Sequence, residues 1–108
     1  MKFEEIFKSN RKSDKLCKGI AWLLKNGFEV HSYSQDAQTC QFIRRFILNL
    51  PGCRGSFVSV AEFGEGHWTV RIRRLTDYHE IKDTGIGDLP ANLYSAMFKK
   101  MAGVEVDE

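Results

Sequence analysis

The sequence predicts an α+β domain in which helices flank a small antiparallel sheet. Three observations lead there. Leu16, Ile20, Leu23 and Leu24 recur at helical spacing. Residues 67–73 alternate as a half-buried strand does, with Trp68, Val70 and Ile72 on one side and His67, Thr69, Arg71 and Arg73 on the other. The glycines of Gly64-Glu65-Gly66 permit a turn that folds this strand back on its predecessor.

Taken in order, residues 2–8 suit a short helix with Phe3, Ile6 and Phe7 on one side. Ser13 or Asp14 can cap a second helix running to about Asn26, and Gly27 stands where a left-handed C-terminal cap belongs. Cys17 lies beside the apolar stripe of that helix and reads as a small buried hydrophobe. Phe28 to Ser34 is extended. A third helix is expected from Thr39 to about Leu50, burying Phe42, Ile43, Phe46, Ile47 and Leu50 and leaving Arg44, Arg45 and Asn49 in water. Pro51-Gly52 ends it. Ser56–Phe63 and His67–Leu75 form the hairpin, and Tyr78–Lys82 adds a third strand after a turn at Leu75–Tyr78. Asp88 is placed to cap the last helix, with Pro90 near its start, Lys99 and Lys100 in its last turn, and Leu93, Met97 and Met101 along its core face. Val104–Glu108 is expected to fray.

A chain of 108 residues suffices for one core, so residues 1–108 are read as a single domain. With 43% hydrophobic and 28% charged residues the composition is that of an ordinary globular protein. A net charge of +2 is too small to call for a nucleic-acid partner. No apolar run approaches the roughly 20 residues of a membrane span. Met-Lys-Phe-Glu-Glu-Ile-Phe has acids where a signal peptide is apolar, so the expected location is cytoplasmic unless a dedicated secretion machine moves the chain. Cys17, Cys40 and Cys53 are odd in number and contain no Cys-x-x-Cys pair, which argues against a disulfide framework and a zinc site. No cofactor is called for. Free thiols in a reducing compartment leave room for one reactive cysteine.

Cys40 would be the first residue of the expected third helix. There the unpaired N–H groups and helix dipole favour thiolate, lowering a thiol pKa from about 8.5 to roughly 3.5–7.5. Gln35, five residues upstream, could aim an amide N–H at the oxyanion formed when the thiolate attacks a carbonyl. His67 could pair with the thiol and protonate the leaving group, and Asp83 could orient its ring. Each has a plainer reading: a loop residue, a core thiol, a turn residue and a turn cap. His79 shares parity with Asp83, and Cys53 is a second candidate thiol without a helix terminus.

The ordered set resembles the papain-like cysteine peptidase core: Gln35-x4-Cys40 leading a helix, Gly66-His67-Trp68 on a strand, then Ile81-Lys82-Asp83-Thr84-Gly85. The His-Trp-Thr-Val-Arg segment is similar to the histidine strand of Josephin-type deubiquitinases. Overall compactness, with a Gly52-Cys53-Arg54-Gly55 turn, is closer to the papain-fold toxin domains of bacterial polymorphic toxin systems. The likeness covers about residues 35–93. It implies a minimal papain-like fold with a Cys-led central helix on the sheet. It also implies a cysteine protease or glutamine deamidase acting on a protein substrate, with Cys40 as nucleophile, His67 as base, Asp83 as third member and Gln35 as oxyanion donor. A cognate immunity protein is the partner such a toxin brings with it.

A non-enzymatic module is the competing reading. This would be an inactive papain-like domain, or a basic face of Arg71, Arg73 and Arg74, joined by Arg44, Arg45 and Arg54, for nucleic acid or an acidic protein. Glu62, Glu65 and Glu80 dilute that cluster.

Overall fold

The structure is a computed structural model, and it describes residues 15–35, 43–64 and 66–103. The helix proposed for residues 2–8, the start of the expected third helix and the tail after Gly103 lie outside the described residues.

Helix α1 (Lys15–Lys25) forms where the apolar stripe predicted it, burying Leu16, Cys17, Ile20 and Leu23. Gly27 ends it at φ +99°, a conformation that disfavours any side chain. The Phe28 N–H bonds back to the Leu23 carbonyl at 3.1 Å and the Gly27 N–H to Leu24 at 3.2 Å, which satisfies carbonyls the helix leaves unpaired. Phe28 is thereby turned into the core, edge-on to Phe98 at 5.2 Å between ring centroids.

Five strands follow: β1 (Glu29–Gln35), β2 (Arg44–Asn49), β3 (Ser56–Gly64), β4 (His67–Arg74) and β5 (His79–Ile86). Each pairs antiparallel with its sequence neighbour, so the order is β1-β2-β3-β4-β5. Helix α2 (Ala91–Ala102) closes the chain on the same side as α1. The fold is α+β, with two described helices on one five-stranded sheet.

The expected helix from Thr39 to Leu50 is corrected. Its second half is strand β2, so the Cys-led central helix is not formed over residues 44–49. Phe-Ile-Arg-Arg-Phe-Ile-Leu carries both periods. The helical reading buries Phe46, Ile47 and Leu50, whereas the strand reading buries Arg44, Phe46 and Leu48. The second prevails because Arg44 has a partner across the ladder. Its guanidinium lies 3.3 Å from the Glu62 carboxylate and donates to Cys17 Sγ at 3.1 Å, with Glu62 opposite it in register. A charge found in the core in this way needs such a partner. β-branched and aromatic neighbours favour the pleated surface as well.

Trp68, Val70 and Ile72 face the helices, as their alternation predicts. Asp88 was expected to cap α2, but the cap position is Pro90, without a side-chain bond. The buried face of α2 consists of Ala91, Tyr94, Ser95, Phe98 and Met101. Leu93 is exposed instead of buried, a shift of one residue around the helix.

Two stability outcomes follow. Gly85 stands opposite Trp68, and a Cβ there would clash with the six-membered ring of that indole, nearest its Cζ2 atom. Gly85→Ala is expected to lower unfolding free energy by about 2–3 kcal/mol in urea titrations, through displacement of the ring. Glu62→Ala leaves the Arg44 charge buried, and its expected cost is about 3 kcal/mol, whereas Lys100→Ala on the exposed side of α2 should stay within about 0.5 kcal/mol.

Candidate functional site

Register fixes which side chains can meet. In an antiparallel ladder, opposite residues share a face and the next pair lies on the other. His67 stands opposite Ile86, and Asp83 opposite Val70. Val70 is buried beneath the helices, whereas His67 is exposed on the face that no described element covers. The structure therefore does not bring His67 and Asp83 together: they project from opposite sides of the sheet.

Asp83 has other partners. One carboxylate oxygen accepts the Tyr94 hydroxyl at 2.5 Å, and the other accepts the Thr84 N–H at 2.9 Å. Tyr94 is buried, edge-on to Trp68 at 5.8 Å, and Trp68 Nε1 donates to the Gly87 carbonyl at 3.2 Å. Burial, then the hydrogen bond to Asp83 and its charge, push the Tyr94 phenol well above its ordinary value. Asp83 thus ties the edge strand to α2.

Gln35 ends β1 opposite Arg44, which gives it helix-side parity. Three strand spacings, about 14 Å, separate β1 from β4. Gln35 and His67 are accordingly apart in both face and distance. Cys40 lies outside the described residues. His79 keeps the helix-side parity of Asp83, at the far end of β5. Cys17 is buried, and Cys53 is partly buried in the turn closed by its N–H to the Leu50 carbonyl at 3.0 Å.

The arginine cluster is divided as well. Arg74 turns to the helix side, where it holds Asp77 through two contacts of 2.9 and 2.6 Å and donates to the Met101 carbonyl at 2.6 Å. This clamp lowers the Asp77 carboxyl to about 2 and holds the turn in which Tyr78 adopts φ +57°. Arg44 is buried. What remains on the uncovered face is Arg71 and Arg73, and register adds Arg45 from β2 and Lys82 from β5. Glu80 sits between the two arginines, 3.7 Å from Arg71 and 3.2 Å from Arg73. With Glu29 at the far corner, register puts these four cations and two carboxylates on the face among the described residues. Between them Ser34, Ala61, Thr69 and Thr84 line one row across the sheet, Ala61 and Thr69 buried, and Ile47, Phe57 and Ser59 share the same face.

At the end of that face near the Gly64–Gly66 turn the surface becomes apolar. Phe63 is 51% exposed, Ile86 72% and Ile43 47%. Ile86 faces His67 in register. A bulge at residues 62–64 lets Phe63 and Gly64 share the His67 side, and a Cβ on Gly64 would sit 3.6 Å from the imidazole. The Ile43 N–H bonds to the Glu62 carbonyl at 2.6 Å, extending the β2–β3 ladder by one residue toward this end. Lys82, Phe63 and Ile86 were not singled out from sequence. The alternation of β5, continued past Asp83 to Ile86, was the signal that could have found two of them.

Among the described residues no group of three or more His, Cys, Asp or Glu could hold a metal ion. No described helix is long and apolar enough to cross a membrane. A groove of about 440 Å³ between α1 and the start of α2 is lined by Lys18, Trp22, Leu89 and Asn92 among others. It contains no nucleophile with a base beside it. Comparison with family models, curated proteins and solved structures found no match for the chain.

The Tyr94–Asp83 bond gives stability a pH dependence whose sign is fixed. A folded-state pKa above the unfolded value of about 10 means that the unfolded chain releases the proton first. Stability is full below about pH 10 and falls as pH rises, by up to about 1.4 kcal/mol per pH unit for this one proton. Tyr94→Phe should cost about 1–2 kcal/mol at neutral pH and flatten the alkaline slope, measured by urea unfolding between pH 8 and about 12.

Proposed function

We propose that this protein is a binding module that engages an anionic partner through the uncovered face of its sheet. The observation that carries the reading is the convergence of Arg45, Arg71, Arg73 and Lys82 from three strands onto one face that no described element covers. Glu80 is shared by the Arg71 and Arg73 guanidiniums, one carboxylate between two cations. The side chains of Arg71 and Arg73 are half-exposed, so an incoming anion reaches their guanidiniums from water. The hydroxyls of Ser59, half-buried, and Thr84, exposed, supply further donors beside the cations.

The cysteine-hydrolase reading draws no support from the described residues. Its base and its orienting acid occupy opposite faces, and its oxyanion donor lies on the far edge strand. A binding surface needs none of these to meet.

The test is retention on immobilised heparin, a generic polyanion, with elution by salt. The wild-type chain should be retained at low ionic strength, and Arg71→Glu with Lys82→Glu should weaken binding by about tenfold or more. Lys25→Glu with Lys100→Glu makes the same change in net charge on the helix side and should leave elution nearly unchanged. Equal loss in both double variants, or no retention at low salt, would overturn the reading. Turnover of an amide substrate that Cys40→Ala abolishes would replace it with the hydrolase.

A further inference from the structure

We infer that the partner is an acidic polypeptide segment that seats an apolar side chain at the Phe63–Ile86 end of the face. The inference rests on the binding reading above and names the class of partner.

Two chemistries lie side by side on this surface. Phe63, Ile86 and Ile43 are large, apolar and about half or more exposed, and they lie at one end of the sheet: Ile43 just before β2, Phe63 on the adjacent β3, and Ile86 on β5, with His67 of β4 between Phe63 and Ile86. Clustered exposure of this kind marks a contact surface, because isolated exposed hydrophobes are common and grouped ones are not. The cations begin a short step away. Arg45 is two residues along from Ile43, roughly 7 Å, and Lys82 is four along from Ile86, roughly 13 Å. An extended or helical segment with an apolar residue followed by acids matches that order. Arginine beside aromatic and aliphatic side chains is also the composition of protein–protein contact cores.

Single-stranded nucleic acid fits less well. Base stacking needs aromatic faces, and two of the three anchors are isoleucines. The Arg73 guanidinium is 5.8 Å from the centroid of the Phe57 ring, and the chain as a whole carries only +2. A second copy presenting the same face would set Arg71, Arg73 and Lys82 against themselves. An acidic peptide meets neither obstacle.

Fluorescence anisotropy with three labelled probes of equal charge tests this: a peptide alternating glutamate with leucine, polyglutamate, and oligo(dT). The alternating peptide should bind at least about tenfold more tightly than polyglutamate. Phe63→Ser and, separately, Ile86→Thr should remove that excess while leaving polyglutamate binding intact. Both positions are exposed, and the threonine variant keeps strand propensity, so a thermal melt should show each variant folded. Equal affinity for the two peptides would overturn the apolar anchor while the anionic face stands. Tightest binding to oligo(dT), lost in Phe63→Ser, would make nucleic acid the occupant and overturn the inference in the same way. Binding of none of the three at low salt would overturn both the inference and the reading beneath it.

Discussion

Among the described residues two helices cover one side of a five-stranded antiparallel sheet and no element covers the other, and strand alternation decides which residues go where. The residues of β2, β3 and β4 that face the helices are apolar along the middle of the sheet, with the Arg44–Glu62 ion pair at one end and Ser56 and Arg74 at the other. The intervening residues are mostly arginine, serine, threonine and small groups. A shift of one residue in any pairing would exchange these sets and carry the arginines into the core. The Trp68–Gly85 pairing helps to hold the β4–β5 register, since the indole occupies space that only a glycine opposite leaves open.

The same constraint explains why Asp83 is structural. On the helix-covered side of an edge strand, its carboxylate meets a buried phenol, and the bond between them fastens β5 to α2 beside the Trp68 ring. At the opposite end of the strand pair, Arg74 ties the β4–β5 turn to the last turn of α2 through Asp77 and the Met101 carbonyl. The outermost strand is thereby anchored at both ends by polar contacts to the helix layer. Its own apolar contribution on that side is small: Ile81 packs partly against the core, whereas Asp83 and His79 are exposed.

How much of this could be read from sequence depended on whether the evidence was local. Helix α1, the β3–β4 hairpin and the inward set Trp68, Val70 and Ile72 were legible because each carries one period and its own turn chemistry. Strand β2 was not, since Phe46 satisfies both periods and the deciding residue, Arg44, reads as a surface charge until Glu62 is known to lie opposite. The His67–Asp83 pairing failed on parity. A four-residue turn at 75–78 pairs residues whose numbers sum to 153, so 67 meets 86, and an odd-numbered residue of β5 faces away from His67. Leu93 was misplaced for a related reason. The helix interior begins after Pro90, and the buried stripe is set by Tyr94 and Phe98 meeting Trp68 and Phe28, aromatic contacts that spacing alone does not disclose.

A solvated outer face is the ordinary condition of an antiparallel sheet, so cations there do not by themselves ask for a partner. The distinction lies in how the sheet treats its different boundaries. Its edges are guarded: β5 carries Glu80, Lys82 and Asp83 along its length, and β1 is interrupted by a bulge at His31, both of which oppose strand addition by another chain. Among the described residues no such guard protects the end of the face at Phe63 and Ile86, where apolar groups meet water although threonine or lysine would serve the ladder equally well. Stability does not require that exposure, because neither side chain belongs to the core. On the binding reading proposed above, a surface defended at its edges and left adhesive at one end of its face would direct association to that end, and the cations beside it would restrict which chains can stay.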